Sequence, residues 1–391
     1  MTAPRLRVLH VDHTGLVGGA EHSLLALLDD LRERHDVVLA APPGPLLERA
    51  ARIGVATRGL PGSDASWRLH PLRTPAAIAA LGGAGVRVRR IARRGGFDVV
   101  HANSVRAGLI AVTARLLGGP PVVVHVRDRL GGGWARALVK LVVAAGAARI
   151  VVVSRFTAAD WEETPVAADK VVQVPNPIDG EAFAPDAADG LAWRAAHGIA
   201  DDAPLLAVVG QITPWKRQDL ALEVAARVRD QLPAVRLVVA GEVKFATPGT
   251  TYDNAAYRDG LVRRSDELGL SAAAIFVGER DDVPSLLRAA DVLLAPARDE
   301  PFGRSVGEAL ATGTPVVVPA CGGPAEIVRN GIDGVVVQRD DPGDWASAAV
   351  RALALAADPS GSVARREHAC ATLSKAGHGR AMESILVRAA R

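Results

Sequence analysis

Two glutamates, Glu300 and Glu308, flank a Pro-Phe-Gly-Arg turn in the stretch DEPFGRSVGEALATGTPVVVPACGGPAEIV, from Asp299 to Val328. The run before it, ending in VLLAP, has the pattern of a strand. Pro301 fits just ahead of a helix, which is predicted to begin near Arg304. Glu300 then lies in a loop at the strand's carboxyl end, and Glu308 one turn into the helix on the same side. Carboxylates so placed need not pair as acid and base. They can hold two hydroxyl-bearing parts of one long ligand, because each accepts several hydrogen bonds and a charged one is worth about 1.5–3 kcal/mol. The amides around Phe302 and Gly303 would meet a phosphate between them. The plainer reading of Glu308 is an acid near a helix N-terminus, where the dipole favours it.

Other groups bear on the same chemistry. In VVGQITPWKRQDL, Lys216 follows a glycine-ended strand and precedes a helix, a position suited to a phosphate; a solvated lysine is the alternative. HTGLVGGAEHS places Gly15, Gly18 and Gly19 in a turn that opens a helix after the first strand. It matches neither G-x-G-x-x-G nor G-x-x-x-x-G-K-[ST], and no acid ends the second strand, so neither nucleotide signature applies. What remains is a tight turn or close backbone approach by a ligand. His10, His13, His22 and His101 are not spaced as metal ligands and are expected to be satisfied buried or pocket histidines, with His13 able to face an acceptor. Arg280 to Asp282 (RDD) reads as loop and helix cap, and no metal site is expected.

These residues need a scaffold, and composition bounds it. The chain has 391 residues, 49% hydrophobic and 23% charged, enough for two packed domains. A net charge of +3 argues against a nucleic-acid footprint. The two cysteines, Cys321 and Cys370, read as free thiols of a reducing cytoplasm. No signal peptide is expected at the N-terminus, and Leu138 to Val153 is too short and too charged to span a bilayer.

Short continuous apolar runs alternate with helical segments, as in parallel sheets covered on both faces. The first half offers Leu6–Asp12, His35–Ala41, Phe97–Asn103, Pro121–Arg127, Arg149–Ser154 and Lys170–Pro175. Pro175 to Gly190, rich in Pro, Gly and Asp, reads as a linker. The rhythm restarts with Pro204–Gly210, Val235–Gly241, Ala274–Gly278, Asp291–Pro296, Pro315–Pro319 and Gly334–Gln338. The expected architecture is α/β, two tandem doubly wound Rossmann-like domains. They cover 1–178, with a return helix over 379–391, and 179–378. Ligands would bind beyond the carboxyl ends of the strands, in a cleft between the domains.

Taken together, the chain resembles glycosyltransferase family 4, retaining enzymes of GT-B architecture. The strongest match is EPFGRSVGEALATGTPVVVPACGGPAEIVRNGIDGVVV. GGAE (Gly18 to Glu21), HANS (His101 to Ser104), HVRD (His125 to Asp128), VVSRF, VPNPID and RAADVLLAP support it in order. The resemblance implies a nucleotide diphosphate sugar, a UDP- or GDP-sugar, held mainly by the second domain as substrate, with no further cofactor. Glu300 takes the role of the glutamate on the donor sugar, Glu308 that of the ribose glutamate, and Lys216 that of the diphosphate lysine. His125 matches the histidine near the sugar's reactive face, Arg280 lies nearest the base, and Gly18 and Gly19 let the first domain close over the diphosphate. Gln211 stands where the family usually carries an arginine, and Arg304 or Arg217 is the expected substitute. Pro301 replaces a common glycine.

Without a carboxylate nucleophile, retention implies front-face attack. The acceptor expected on the first domain is small, polar or carbohydrate-like. GQITPWKRQD and HVRDRLGG look similar to transferases of bacterial natural-product pathways, including aminocyclitol antibiotics. A cell-envelope glycan or lipid acceptor is the alternative, since the basic run Arg87 to Gly96 would suit peripheral contact with an anionic membrane. A GT-B-type epimerase or hydrolase, a nicotinamide oxidoreductase and a non-catalytic sugar-nucleotide sensor are the rivals by class.

Overall fold

The computed structural model describes residues 5–62, 73–244 and 252–391. The chain forms two compact units, Met1–Pro177 with Lys375–Arg391, and Ile178–Ser374. The division falls one residue before the 178/179 boundary read from the sequence.

Among the described residues of the first unit, seven strands run parallel: β1 (Arg7–Val11), β2 (Asp36–Ala41), β3 (Ala56–Gly59), β4 (Val99–Ala102), β5 (Val122–Val126), β6 (Arg149–Val152) and β7 (Val171–Gln173). Their order is β3-β2-β1-β4-β5-β6-β7, so the topology reverses at β1 and β4. β3, sequence ATRG, is the strand that the hydrophobic pattern did not reveal. It is a short, largely exposed edge with no apolar run to mark it. Helices cover both faces. On one, Leu24, Leu27, Leu28 and Leu31 of the helix Gly19–Leu31 pack with Met382 and Leu386 of the return helix. On the other, Val88, Ile110, Val143 and Trp161 close a second core. Burying each such side chain contributes roughly 1.5–3 kcal/mol.

The return helix spans Lys375–Ala390, a turn longer at its start than the expected 379–391. Gly379, expected as its first residue, sits inside the helix. A Cβ there would come within 2.0 Å of the Asp30 carboxylate, which would have to move aside. Glu383 fixes the helix by accepting from Arg34 Nε (3.1 Å) and pairing with His35 Nε2 (3.0 Å).

Among its described residues the second unit has six parallel strands: β8 (Leu205–Val209), β9 (Arg236–Ala240), β10 (Ala274–Gly278), β11 (Val292–Leu294), β12 (Val316–Pro319) and β13 (Gly334–Val337). Their order is β10-β9-β8-β11-β12-β13, with the reversal between β8 and β11. The expected linker ends early. Asp186 accepts from the Asp189 amide and starts a helix, Ala187–Ala196, inside the stretch read as loop.

Candidate functional site

The second unit gathers the carboxylates and the lysine at the carboxyl ends of β8 and β11. Lys216 closes a single-turn helix, Pro214–Lys216, and Glu300 sits in the loop after β11. The Lys216 ammonium and the Glu300 carboxylate form an ion pair. The two segments are also tied through the backbone, the Arg298 amide donating to the Trp215 carbonyl at 3.0 Å. The Trp215 ring lies 4.4 Å from Lys216 Nζ and adds a cation–π contact. Lys216, Gln218, Glu300, Gly303, Ser305 and Pro324 line one pocket, floored by Val208 and Leu294.

The helix Arg304–Ala311 opens at Gly303 as anticipated. Gly303 has φ 91°, and a Cβ would meet Pro324 at 2.8 Å, so another residue there would be strained and crowded. No side chain caps the helix, and its first amides are oriented for an anion. Phe302, named for its backbone, has its ring in the core. Glu308 is buried one turn on; burial pushes its carboxyl up, and Arg304 opposes this. Arg304 Nε lies 2.8 Å from Glu308 Oε1. The residue expected to replace the missing arginine is therefore engaged with the second glutamate.

Arg217, the other expected substitute, forms ion pairs with Asp340 (2.6 Å) and Asp219 (3.5 Å). The Gln211 carbonyl accepts from Gln218 Nε2 at 2.9 Å, which holds the turn after β8. Arg280 is bound to Asp282 at 2.5–2.7 Å, and this pairing holds the Asp282 carboxyl below its ordinary range. Asp282 also accepts from Trp193 Nε1. It occupies the N-cap position of the helix Val283–Ala289, as expected, but its side chain makes no capping hydrogen bond.

In the first unit, Gly18 precedes the helix Gly19–Leu31, and a Cβ on Gly19 would meet nothing within 4 Å. Packing inside the protein does not explain that glycine. Gly15 differs, since a Cβ there would strike the Pro43 carbonyl at 2.5 Å. Glu21, quoted within a motif but given no role, accepts from the Gly18 amide at 2.8 Å. Burial, with the charge of Asp12 second, raises its carboxyl to about 7.

His125 lies inside β5, fully buried, and neither ring nitrogen has a hydrogen-bond partner among the described residues. The expectation of a histidine at the reacting face fails there, because a ring in a strand interior presents no surface to a ligand. Of the histidines expected to be satisfied, His13 is hydrogen-bonded, whereas His10 and His101 each leave Nε2 without a partner among the described residues. His10, His101, His125 and His378 form a row with ring centroids 5.0, 5.6 and 6.1 Å apart. Only His10 Nδ1–His101 Nδ1 (3.0 Å) and His378 Nδ1, donating to the Pro175 carbonyl (2.8 Å), are hydrogen-bonded. Burial depresses all four, His10 to about 3 and His378 to about 4.

The group at the end of β5 is Arg127. It donates to Asn103 (2.7 Å) and to Asn176, and Asn103 donates to Asp12 (2.8 Å). His13 Nδ1 lies 3.1 Å from Asp12 and 2.9 Å from Ser104 Oγ. Asp12, Asn103 and Arg127 each directly follow a strand, the signal that could have singled them out. Among the described residues, no group of three or more His, Cys, Asp or Glu could hold a metal ion, and no helix is long and apolar enough to cross a membrane.

Two tandem Rossmann-like units with these strand orders define the GT-B class, and known proteins agree. The model for Glycosyltransferase Family 4 matches residues 17–182, and that for Glycosyl transferases group 1 matches residues 190–360. D-inositol 3-phosphate glycosyltransferase of Mycobacterium tuberculosis is 33% identical over 308 residues, 75% of this chain and 61% of that protein. This chain thus spans about three fifths of the length of the curated relatives it matches. Anabaena HepE, solved in complex with UDP-glucose, superposes with a TM-score of 0.83 at 19% identity, over 98% of this chain and all of that one. Sucrose-phosphate synthase from Thermosynechococcus elongatus superposes with a TM-score of 0.77 at 20% identity, over 97% of this chain and 98% of that one. Together these matches support a glycosyltransferase of the family 4 type.

Proposed function

We propose that the protein transfers a sugar, with retention, from a UDP- or GDP-sugar to a hydroxyl of a small polar acceptor. The observation that carries this reading is the Lys216–Glu300 ion pair beside the uncapped helix start at Gly303, with Glu308 a turn further on. A diphosphate fits the lysine and the helix amides, which stabilise charge as it develops on the leaving group. Sugar hydroxyls then take Glu300, and ribose hydroxyls take Glu308.

Both glutamates are ion-paired, which favours hydroxyl binding over nucleophilic attack. In the front-face route, the bond from the anomeric carbon to the diphosphate oxygen breaks as the acceptor oxygen bonds to the same face. The acceptor's proton passes to the departing phosphate oxygen. Lys216 supplies the charge that a divalent ion supplies elsewhere, so activity should survive chelation. The UDP-glucose complex of a structural neighbour supports the donor class, and the inositol phosphate named for the relatives supports a polyol acceptor. Aminocyclitols share that polyol ring.

The test is a panel of nucleotide sugars with nucleotide release measured with and without inositol, inositol phosphate and aminocyclitol acceptors. Acceptor-dependent release from one UDP- or GDP-sugar, giving an anomer of the donor's configuration, is expected. Equal turnover without acceptor would assign the site to an epimerase or hydrolase instead.

A further inference from the structure

Among the described residues other than glycine, Val166, Arg217 and Asp299 have φ in the left-handed region. Two of them stand beside the Lys216–Glu300 pair. Arg217 (φ 57°) directly follows Lys216, and Asp299 (φ 53°) directly precedes Glu300. A residue with a Cβ resists that conformation, so it persists where its surroundings hold it.

One carboxylate reaches both turns. Arg217 Nη1 donates to Asp340 Oδ1 (2.8 Å) and Oδ2 (2.6 Å), and Arg298 Nη2 pairs with the same Oδ2. Arg217 ties in the loop after β8, and Arg298, one residue before Asp299, ties in the loop after β11. Asp340 is itself fixed from both sides. It lies between the end of β13 and Asp341, which caps the helix Pro342–Ala356 by accepting from the amides of Gly343 (2.8 Å) and Asp344 (3.0 Å). Asp219 is a second anchor for Arg217 (3.5 Å) and accepts in turn from Tyr257 Oη (2.7 Å). Arg217, Arg298 and Asp340 are not among the described residues that line the pocket. They act on its contents through the residues they hold.

We propose that Asp340 is a positioning residue. Its carboxylate clamps the two turns on which Lys216 and Glu300 stand and sets the geometry in which the pair meets a donor. The kinetic consequence rests on the transferase reading; the clamp rests on geometry alone. Stability does not explain the carboxylate. Asp340 and Arg298 are 38% and 62% exposed, and ion pairs so open to water add little to folding. A small displacement of groups around a reacting bond, by contrast, costs rate steeply.

Asp340→Ala should lower kcat/KM for the donor by roughly tenfold, mostly in kcat, and keep the parent's melting temperature. Asp340→Glu, which retains the charge, should recover most of the loss. Arg298→Gln cuts one arm at an exposed site and should show the same effect more weakly. Added to the Lys216→Ala, Glu300→Gln double variant, Asp340→Ala should change the rate by less than about twofold, because the clamp then has no pair to position. A readout without substrate is acetylation of Lys216 by acetyl N-hydroxysuccinimide, followed by peptide mass spectrometry. Asp340→Ala should speed it by about threefold or more as the ammonium loses its fixed partner, while Lys140 and Lys170 of the first unit keep their rates. Parent-like turnover by Asp340→Ala, unchanged labelling of Lys216, or an undiminished loss in the double variant would overturn the inference. So would a melting temperature that falls with activity and is not restored by Asp340→Glu, which would make the carboxylate merely structural. Faster labelling in a protein that turns over no nucleotide sugar would uphold the clamp and reject the transferase reading instead.

Discussion

The two units repeat one fold, but they place their titratable groups at different depths. In the second unit the charged groups stand at strand ends and helix starts: Lys216 with Glu300, and Arg304 with Glu308, pair around a pocket. In the first unit His10, His101 and His125 lie within the sheet itself and are neutral because burial disfavours their charged form. Depth separates the two kinds of consequence. Groups at the strand ends can exchange an internal partner for a ligand, whereas groups in the strand interiors can only alter stability.

The sharpest way to break this contrast is at Lys216. Lys216→Ala should lower kcat/KM by roughly two to three orders of magnitude while the fold persists. Because Lys216 and Glu300 act as a pair, the double variant with Glu300→Gln should be far less impaired than the product of the two single losses. Strict multiplication of the losses, measured by initial rates, would separate the two residues functionally.

A smaller effect is expected from pH, and it should belong to the first unit. Histidines whose folded value is depressed contribute stability that is present above their ordinary value of 6.5 and lost as pH falls towards about 3. Glu21 acts in the opposite sense: its carboxyl, raised to about 7, favours the folded state at acid pH and loses that contribution as pH rises from 4.5 to 7. The histidine row should dominate below neutrality. Thermal unfolding followed by circular dichroism should show the melting temperature falling by several degrees from about pH 7 to about pH 5. A flat profile across that range would mean that the row is charged or solvated.

The smallest change tests the departure at Gln211. Gln211→Arg adds a cation at the turn after β8 and should lower the donor KM by roughly threefold to tenfold with little effect on kcat. An unchanged KM would mean that the turn does not face the diphosphate.

Sequence reading succeeded where one local signal determined the outcome. Buried parallel strands are continuous apolar runs, so both sheets were legible apart from the exposed edge β3. The turn at Gly303 was legible because proline and glycine constrain a helix start. Depth and pairing were not legible. The run Pro121–Arg127 puts His125 inside a strand and Arg127 at its end, but nothing in HVRD says that the ring is fully buried there without a hydrogen-bond partner among the described residues. Nor does spacing reveal that four histidines from three strands and the last helix line up. Those facts are set by register between strands distant in sequence.

On the proposed function, the Lys216–Glu300 pair has a consequence for turnover. Before a donor arrives, the ammonium already holds an anion supplied by the chain. Donor entry is then an exchange of counter-ions, with no lone charge left exposed, and the empty state costs less desolvation than a bare lysine would. After transfer, the displaced carboxylate competes with the spent nucleotide for the same ammonium. A built-in rival of this kind trades some affinity for faster departure of the product.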